Sequence, residues 1–264
     1  MPTLILSRRY SDDSNSLWRA AMDAGWDAVR LMTYEGPPEL RERDPVYYGE
    51  TLLADAIAEP LGLALLEPSH DWLPSLDERW RRRAVRLSTL AEARALDAPA
   101  FVKAVDEKWM VARVYASGAD LDASPALAGD LPVLIQEPVD FEVELRAFVS
   151  GRTVAALSPY MLAGEIARGA DGEWTADAAH VTAAAAFLDA LLADEAVALP
   201  RGVVVDVGRI RDRGWAVVEA NAAWASGLCG ADPRAVLSVI RAACVPRVEL
   251  AASEERWIRR PVAS

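Results

Sequence analysis

The sequence Val203-Val-Val-Asp206, together with Trp215-Ala-Val-Val-Glu-Ala-Asn221, is the pattern that decides the fold of this chain. Two runs rich in valine flank Arg211-Asp-Arg-Gly214, and the glycine favours a turn, so the pattern predicts two antiparallel strands joined as a hairpin. Side chains alternate along a strand, so the second strand, if it continues, turns Glu219 and Asn221 to one side. The hairpin then brings Asp206 across from Glu219.

Asp206, Glu219 and Asn221 are therefore candidate metal ligands. Mg²⁺ prefers hard oxygen donors, with one or two carboxylates completed by other oxygens such as those of phosphates. Each acid alone also fits an exposed strand end, and many hairpins have this composition.

A second pattern lies at the end of the apolar strand predicted over Pro132–Pro138. Pro138 has no N–H, so the segment Gln136-Glu-Pro-Val139 leaves backbone groups free. An adenine ring can bind such groups, and Glu144, seven residues after Glu137, can hold ribose hydroxyls. An acidic loop beside an edge strand is the alternative interpretation. Arg146 is predicted on the same face as Glu144.

The lysines form a third pattern. Of 28 cationic residues only Lys103 and Lys108 are lysines, so a lysine is expected where a compact ammonium is needed. Lys103 ends the apolar segment Pro99–Lys103, and a strand-end lysine beside a cleft is a good phosphate ligand. A lysine that extends its charge to solvent is the alternative.

The three patterns, in this order, resemble the ATP-grasp superfamily over about residues 75–245. The resemblance implies an α/β (α+β) chain with the ATP-grasp fold and a preceding small open α/β lobe. It divides the chain into a lobe at 1–72, a subdomain with the phosphate-binding lysine at 73–135, and a C-terminal subdomain with the Mg²⁺ site at 136–264.

The resemblance also implies ATP and Mg²⁺ as cofactors and assigns roles to the residues. The phosphate ligands are Lys103 and Lys108; the adenine-binding residues are Gln136, Glu137, Pro138 and Val139; the ribose ligand is Glu144; the metal ligands are Asp206, Glu219 and Asn221; and the arginines for the transferred phosphoryl group are Arg146 and Arg209.

The segment Glu144-Leu-Arg-Ala-Phe-Val-Ser-Gly151, followed by Ser158-Pro-Tyr160, resembles one small clade of the superfamily, named for an arginine pair and a lysine. Two departures concern catalysis. The loop Val105–Trp109 lacks the glycines that many members place over the phosphates, and Val204 stands where many have an arginine.

The resemblance implies a carboxylate–amine (or thiol) ligase that works through an acyl phosphate, with a small-molecule or peptide carboxylate as substrate and an amine as acceptor. A kinase of a small molecule or peptide, a non-catalytic nucleotide-binding protein and a plain α/β domain are the alternatives. Arg8 and Arg9 end the first predicted strand, where open sheets bind ligands, and are candidates to hold the substrate. Tyr160 begins a second candidate substrate region, Tyr160–Trp174.

Composition limits the partners. The net charge of −12 repels phosphate backbones, so nucleic acid is not expected as a partner. The apolar runs are too short for a membrane span, the start of the chain does not fit a signal peptide, and we expect a cytoplasmic protein. The run Arg81-Arg-Arg83 could bind a small anion or form the solvated face of a helix.

The remaining pattern predicts strands at Thr3–Ser7, Asp27–Met32, Val46–Gly49 and Leu63–Glu67, which together would complete the N-terminal lobe. Leu76–Leu96 is predicted as one long arginine-rich helical stretch. Asp232 and Pro233 predict the start of a last helix that ends at Ala243.

Overall fold

The structure is a computed structural model that describes residues 1–105, 109–121 and 127–260. Its helices are α1 (Asp12–Asp23), α2 (Thr51–Ile57), α3 (Trp72–Ser75), α4 (Glu78–Arg81), α5 (Leu90–Arg94), α6 (Ala178–Ala193) and α7 (Pro233–Ala243). Its strands are β1 (Thr3–Leu6), β2 (Asp27–Arg30), β3 (Pro45–Tyr48), β4 (Leu63–Leu65), β5 (Val85–Thr89), β6 (Ala100–Ala104), β7 (Arg113–Tyr115), β8 (Pro132–Gln136), β9 (Phe141–Ser150), β10 (Thr153–Leu162), β11 (Glu165–Ile166), β12 (Gly202–Ile210), β13 (Gly214–Asn221) and β14 (Cys244–Pro246). The mixture of helix and sheet confirms the predicted fold class.

The first 60 residues contain a small parallel sheet with the strand order β2-β1-β3. Helix α1 connects β1 to β2 and begins with a capping box, in which Ser11 Oγ accepts from the Ser14 N–H and Ser14 Oγ accepts from the Ser11 N–H. Strand β1 is fully buried, so the sheet is covered on both faces, as parallel sheets usually are.

The fourth strand of the predicted lobe does not join this sheet. Strand β4 pairs instead with β14, in antiparallel register, near the other end of the described chain. The indole Nε1 of Trp224 donates to the Leu66 carbonyl, which fixes the end of the same segment. The expectation of a fourth strand in the lobe was wrong because the apolar run 63–67 finds its partner far away in sequence.

The predicted long helix at Leu76–Leu96 was also wrong. Helix α4 ends at Arg82, which adopts a left-handed conformation (φ 48°), and the chain continues as β5. This strand pairs with β8 in an antiparallel sheet with the order β5-β8-β6-β7. Pairing with β8 outweighs the helical propensity of the arginines, leucines and alanines.

The largest sheet is antiparallel with the order β11-β10-β9-β12-β13. The predicted hairpins β9–β10 and β12–β13 both belong to it. One face carries an apolar core formed by alternate residues of β9 and β12, including Leu145, Val205 and Val207, with α6 contributing Leu188. The last predicted helix is α7, with Asp232 as N-cap and Pro233 as its first residue. No helix of the described ranges is long and apolar enough to cross a membrane.

Candidate functional site

A cavity of about 860 Å³ brings together residues of the four-stranded and five-stranded sheets. Lys103 enters from β6, Arg146 from β9, and Glu219 and Asn221 from β13. Tyr160 of β10 also lines the cavity, and its ring centre is 4.2 Å from the Arg146 guanidinium carbon. Predicted phosphate, metal and substrate residues therefore share one cavity.

Five of the predicted residues form one connected polar network. Lys103 Nζ donates to Glu219 Oε2, and Asn221 Nδ2 donates to Glu219 Oε1 at 2.9 Å and to Asp206 Oδ2 at 3.3 Å. Arg146 donates from Nε and Nη2 to the two oxygens of Asp206, at 2.9 and 2.8 Å. Two cations and two carboxylates balance each other in this network.

The charges of the network are held by strong opposing effects. Burial raises the pKa of the fully buried Asp206 carboxyl, and the Arg146 guanidinium opposes that rise. Burial would lower the pKa of Arg146, but the charge of Asp206 raises it overall, so the pair is kept ionised. Burial would raise the pKa of Glu219 as well, but Lys103 and the Asn221 amide lower it to about 2.

The donor set of this network fits a hard cation. Asp206 and Glu219 supply carboxylate oxygens, and the Asn221 amide lies between them. Among residues 1–105, 109–121 and 127–260, no three His, Cys, Asp or Glu side chains form a metal-binding group. A cation held here would thus depend on two carboxylates, one amide and oxygens from outside the protein.

Glu144 lies on the same face of the sheet as Arg146 and Asp206. Its cross-strand partner is Gly208, where an added Cβ would come within 2.6 Å of the Phe141 ring and 3.1 Å of Glu144 Cγ. Glycine at this position therefore makes room for the Glu144 side chain. Burial, followed by the nearby carboxylates of Asp206 and Glu219, raises the pKa of Glu144 to about 7.

The predicted adenine-binding segment is tied to its surroundings by its side chains. Gln136 Oε1 accepts from Arg83 Nε at 3.0 Å. Glu137 accepts from Arg213 Nη2 at 2.6 Å and from the Ala84 N–H at 3.1 Å, and these bonds, Arg213 first, lower its pKa. Among the described residues that line the cavity, none comes from Gln136, Glu137, Pro138 or Val139. The role of this segment in adenine binding stays a prediction.

Several predicted residues are not brought into the network. Arg209 pairs with Glu142, because it is three residues from Asp206 in the same strand and points to the other face. Arg8 lies over the ring of Tyr34, and Arg9 is exposed near the end of β1. The predicted phosphate ligand Lys108 lies outside the described residues.

Sequence reasoning missed two residues next to the site. Asp13 Oδ2 accepts from the Leu228 N–H at 3.1 Å, and Arg146 Nη1 donates to the neighbouring Gly227 carbonyl at 3.2 Å, so α1 and β9 hold the same loop. Arg83 is only 3% exposed, which corrects the expectation of a solvated helix face for Arg81–Arg83. A run of three arginines carries no signal that its third member is buried.

The paired sheets that hold this cavity, with a parallel lobe before them, define an ATP-grasp protein. A family model matches residues 80–239, which is more than half of the chain, and describes the ATP-grasp domain of family 2 in the clade named for two arginines and a lysine. The chain therefore belongs to family 2 of this ATP-grasp clade, and the predicted superfamily and clade are confirmed.

Solved structures share the fold at low sequence identity. A RimK domain ATP-grasp protein from Sphaerobacter thermophilus is 18% identical with a TM-score of 0.53, over 92% of this chain and 98% of that one. N5-carboxyaminoimidazole synthetase from Staphylococcus aureus is 11% identical with a TM-score of 0.58, over 93% and 78%. Its ADP complex is 8% identical with a TM-score of 0.53, over the same shares. A comparison with curated proteins finds no match.

Proposed function

We propose that this chain is an ATP-dependent ligase that joins a carboxylate substrate to an amine or thiol through an acyl phosphate. The observation that carries the proposal is the network of Lys103, Glu219, Asn221, Asp206 and Arg146 across one cavity. Membership of the ATP-grasp family and the ADP complex of a protein with the same fold support ATP as the nucleotide.

We assign the roles within the network by charge. Lys103 moves from Glu219 to the nucleotide phosphates, and Asp206, Glu219 and Asn221 hold Mg²⁺. When bound, Mg²⁺ neutralises phosphate charge and orients the transferred group. Arg146 keeps Asp206 ionised and oriented, and its remaining N–H groups face the Gly227 loop at the cavity wall.

The ligase chemistry needs positioning more than proton transfer. The substrate carboxylate oxygen attacks the γ-phosphorus of ATP, ADP leaves, and the acyl phosphate then loses inorganic phosphate to the attacking amine or thiol. Lys103 and Arg146 stabilise the charge that develops on the transferred group. In this proposal residues 1–72 bind the carboxylate substrate, 73–135 supply Lys103, and 136–264 supply the metal ligands.

Nucleotide binding is the first test. Isothermal titration with Mg·ATP should give a clear binding isotherm for the unaltered chain and a strongly weakened one for Lys103→Ala and Glu219→Gln. Glu59→Gln, on the exposed surface, is the control and should bind as the unaltered chain does. The proposal is wrong if Mg·ATP does not bind, or if the site variants bind it as well as the control.

Trapping of the intermediate is the second test. With a panel of carboxylic acids and peptides, hydroxylamine should convert an acyl phosphate to a hydroxamate while ADP is released. Transfer of phosphate to a substrate hydroxyl, without hydroxamate, would make the chain a kinase. Binding of Mg·ATP without acceptor-stimulated ADP release would make it a non-catalytic nucleotide-binding protein.

A further inference from the structure

Strand β13 contains a β-bulge immediately before Glu219. Val207 pairs with Val217 and Asp206 pairs with Glu219, so Val218 is an extra residue without a partner in β12. A bulge of this kind reverses the alternation of side chains beyond it.

The bulge decides which side of the sheet the predicted metal ligands face. Before the bulge, Val217 packs in the apolar core; after it, Ala220 packs against that core, and Glu219 faces the cavity. In a regular hairpin with the same turn, Val218 would stand opposite Asp206 and Glu219 opposite Val205, whose side chain is in the core. The site exists because of one extra residue.

Arg83 binds both carbonyls of the bulge. Its Nη1 donates to the Val217 carbonyl at 2.7 Å, and its Nη2 donates to the Val218 carbonyl at 2.8 Å. Consecutive carbonyls of a regular strand point to opposite edges, so one guanidinium reaches both only because the bulge turns them together.

The other bonds of Arg83 fix its own position. Nε donates to Gln136 Oε1 at 3.0 Å, and Nη1 also donates to the Arg81 carbonyl at 3.0 Å. The guanidinium lies 5.2 Å from the centre of the Phe141 ring. Its hydrogen-bond acceptors are thus carbonyl and amide oxygens. In the described part of the chain no carboxylate lies within ion-pair distance of Arg83, although the charges of Glu144 and Glu219 act on it.

A buried cation with neutral acceptors is costly, so the chain must gain something specific from it. A lysine has one ammonium group and cannot reach four separated acceptors, whereas the planar fork of a guanidinium can. Burial lowers the pKa of Arg83 to about 10, so it remains charged at neutral pH.

We propose that Arg83 is a positioning residue that holds the bulge at Val217–Val218 and thereby turns Glu219 and Asn221 toward the cavity. The proposal rests on the proposed function insofar as these two side chains are metal ligands. The bulge and its contacts do not depend on that function, so the two can be tested separately.

The first test follows the strand register by amide–amide nuclear Overhauser effects in deuterated protein. In Arg83→Met we expect the Asp206–Glu219 and Val204–Asn221 pairings to weaken or vanish, while pairing on the turn side of the bulge persists. Arg82→Met is the matched control, because Arg82 is exposed and donates to the Arg213 carbonyl in the turn. Unchanged pairings in Arg83→Met, or equal losses on both sides of the bulge, would overturn the proposal.

The second test measures binding of Mn²⁺ with ADP to the folded variants. Arg83→Met and Arg83→Lys should weaken Mn²⁺ binding by about tenfold or more, as losses of residues that orient metal ligands do, and Arg82→Met should not. Equal affinity in Arg83→Met and the unaltered chain would overturn the proposal. Absence of Mn²⁺·ADP binding in the unaltered chain would instead contradict the proposed function, and the register would still decide the role of Arg83.

Deletion of Val218 supplies a variant in which the role should disappear. The deletion leaves Glu219 opposite Asp206 without a bulge, so Arg83 has nothing to hold in place. Arg83→Met should then change the Mn²⁺·ADP affinity little in the deletion background. A loss as large as that in the full-length strand would mean that Arg83 acts in some other way.

Discussion

Replacement of Arg146 by methionine should destabilise the protein much more than the loss of any surface ion pair. Methionine keeps the aliphatic stem but removes the guanidinium that donates to both oxygens of Asp206, at 2.9 and 2.8 Å. Asp206 is fully buried, so water cannot replace those bonds. The Asn221 amide, 3.3 Å away, is the other donor to this carboxylate.

The magnitude follows from the burial of the pair. Removing one partner of a buried ion pair costs about 3–5 kcal/mol, against a total stability of about 5–15 kcal/mol for most domains. Without Arg146 nothing opposes the burial that raises the pKa of Asp206. The folded variant would then bind a proton that the unfolded chain releases. Its extra instability should therefore be smallest below about pH 4 and grow by at most about 1.4 kcal/mol per pH unit as the pH rises.

Urea unfolding followed by tryptophan fluorescence at pH 5 and pH 8 is the assay. Arg43→Met is the control, because Arg43 and Asp27 form a pair whose side chains are 43% and 45% exposed, and such pairs contribute about 0–1 kcal/mol. Adding Asp206→Leu to Arg146→Met should recover most of the loss, since an apolar pair can replace a buried ion pair. Equal losses in Arg146→Met and the control, or no recovery in the double variant, would refute the reasoning.

Three further predictions concern charge and thiols. Lys103→Gln should bind Mn²⁺ alone up to about tenfold more tightly but ADP more weakly, because Glu219 loses the ammonium that occupies it; electron paramagnetic resonance measures the former, and weaker Mn²⁺ binding would contradict it. Cys229 and Cys244 have pKa values raised by burial to about 11 and 12, so Ellman's reagent at pH 8 should react slowly with the native protein and rapidly in urea; a fast-reacting native thiol would be inconsistent with this. Burial raises the pKa of Glu144 to about 7, so it stabilises the fold below about pH 4.5 and that contribution is lost as the pH rises to about 7; Glu144→Gln should flatten this part of the stability profile, and an unchanged slope would show that another group titrates.

The sequence predicts much of the fold because its strands carry their own signals. The valine-rich runs before Asp206 and Glu219 and the intervening glycine predicted the hairpin β12–β13, and the N-cap at Asp232 predicted α7. The family and the fold class are confirmed. The roles of the site residues and the division into subdomains remain predictions.

What the sequence did not predict depends on partners that are distant along the chain. The bulge at Val218 adds one residue to a valine-rich run and changes no composition, although it decides the direction of Glu219. Arg83 is buried only because β13 and β8 meet around it. The segment that contains β5 looks helical by itself and becomes a strand because β8 lies beside it.

The pairing of β4 with β14 has a consequence for the order in which this protein is made. Strand β4 leaves the ribosome about 180 residues before β14, the strand it pairs with, and pairing over such separations is slow. Until β14 arrives, one edge of β4 and the apolar residues around Leu65 have no cover. The N-terminal lobe can therefore reach its final form only when nearly the whole chain has been synthesised, and truncation before Cys244 should yield a chain that depends on chaperones to stay in solution.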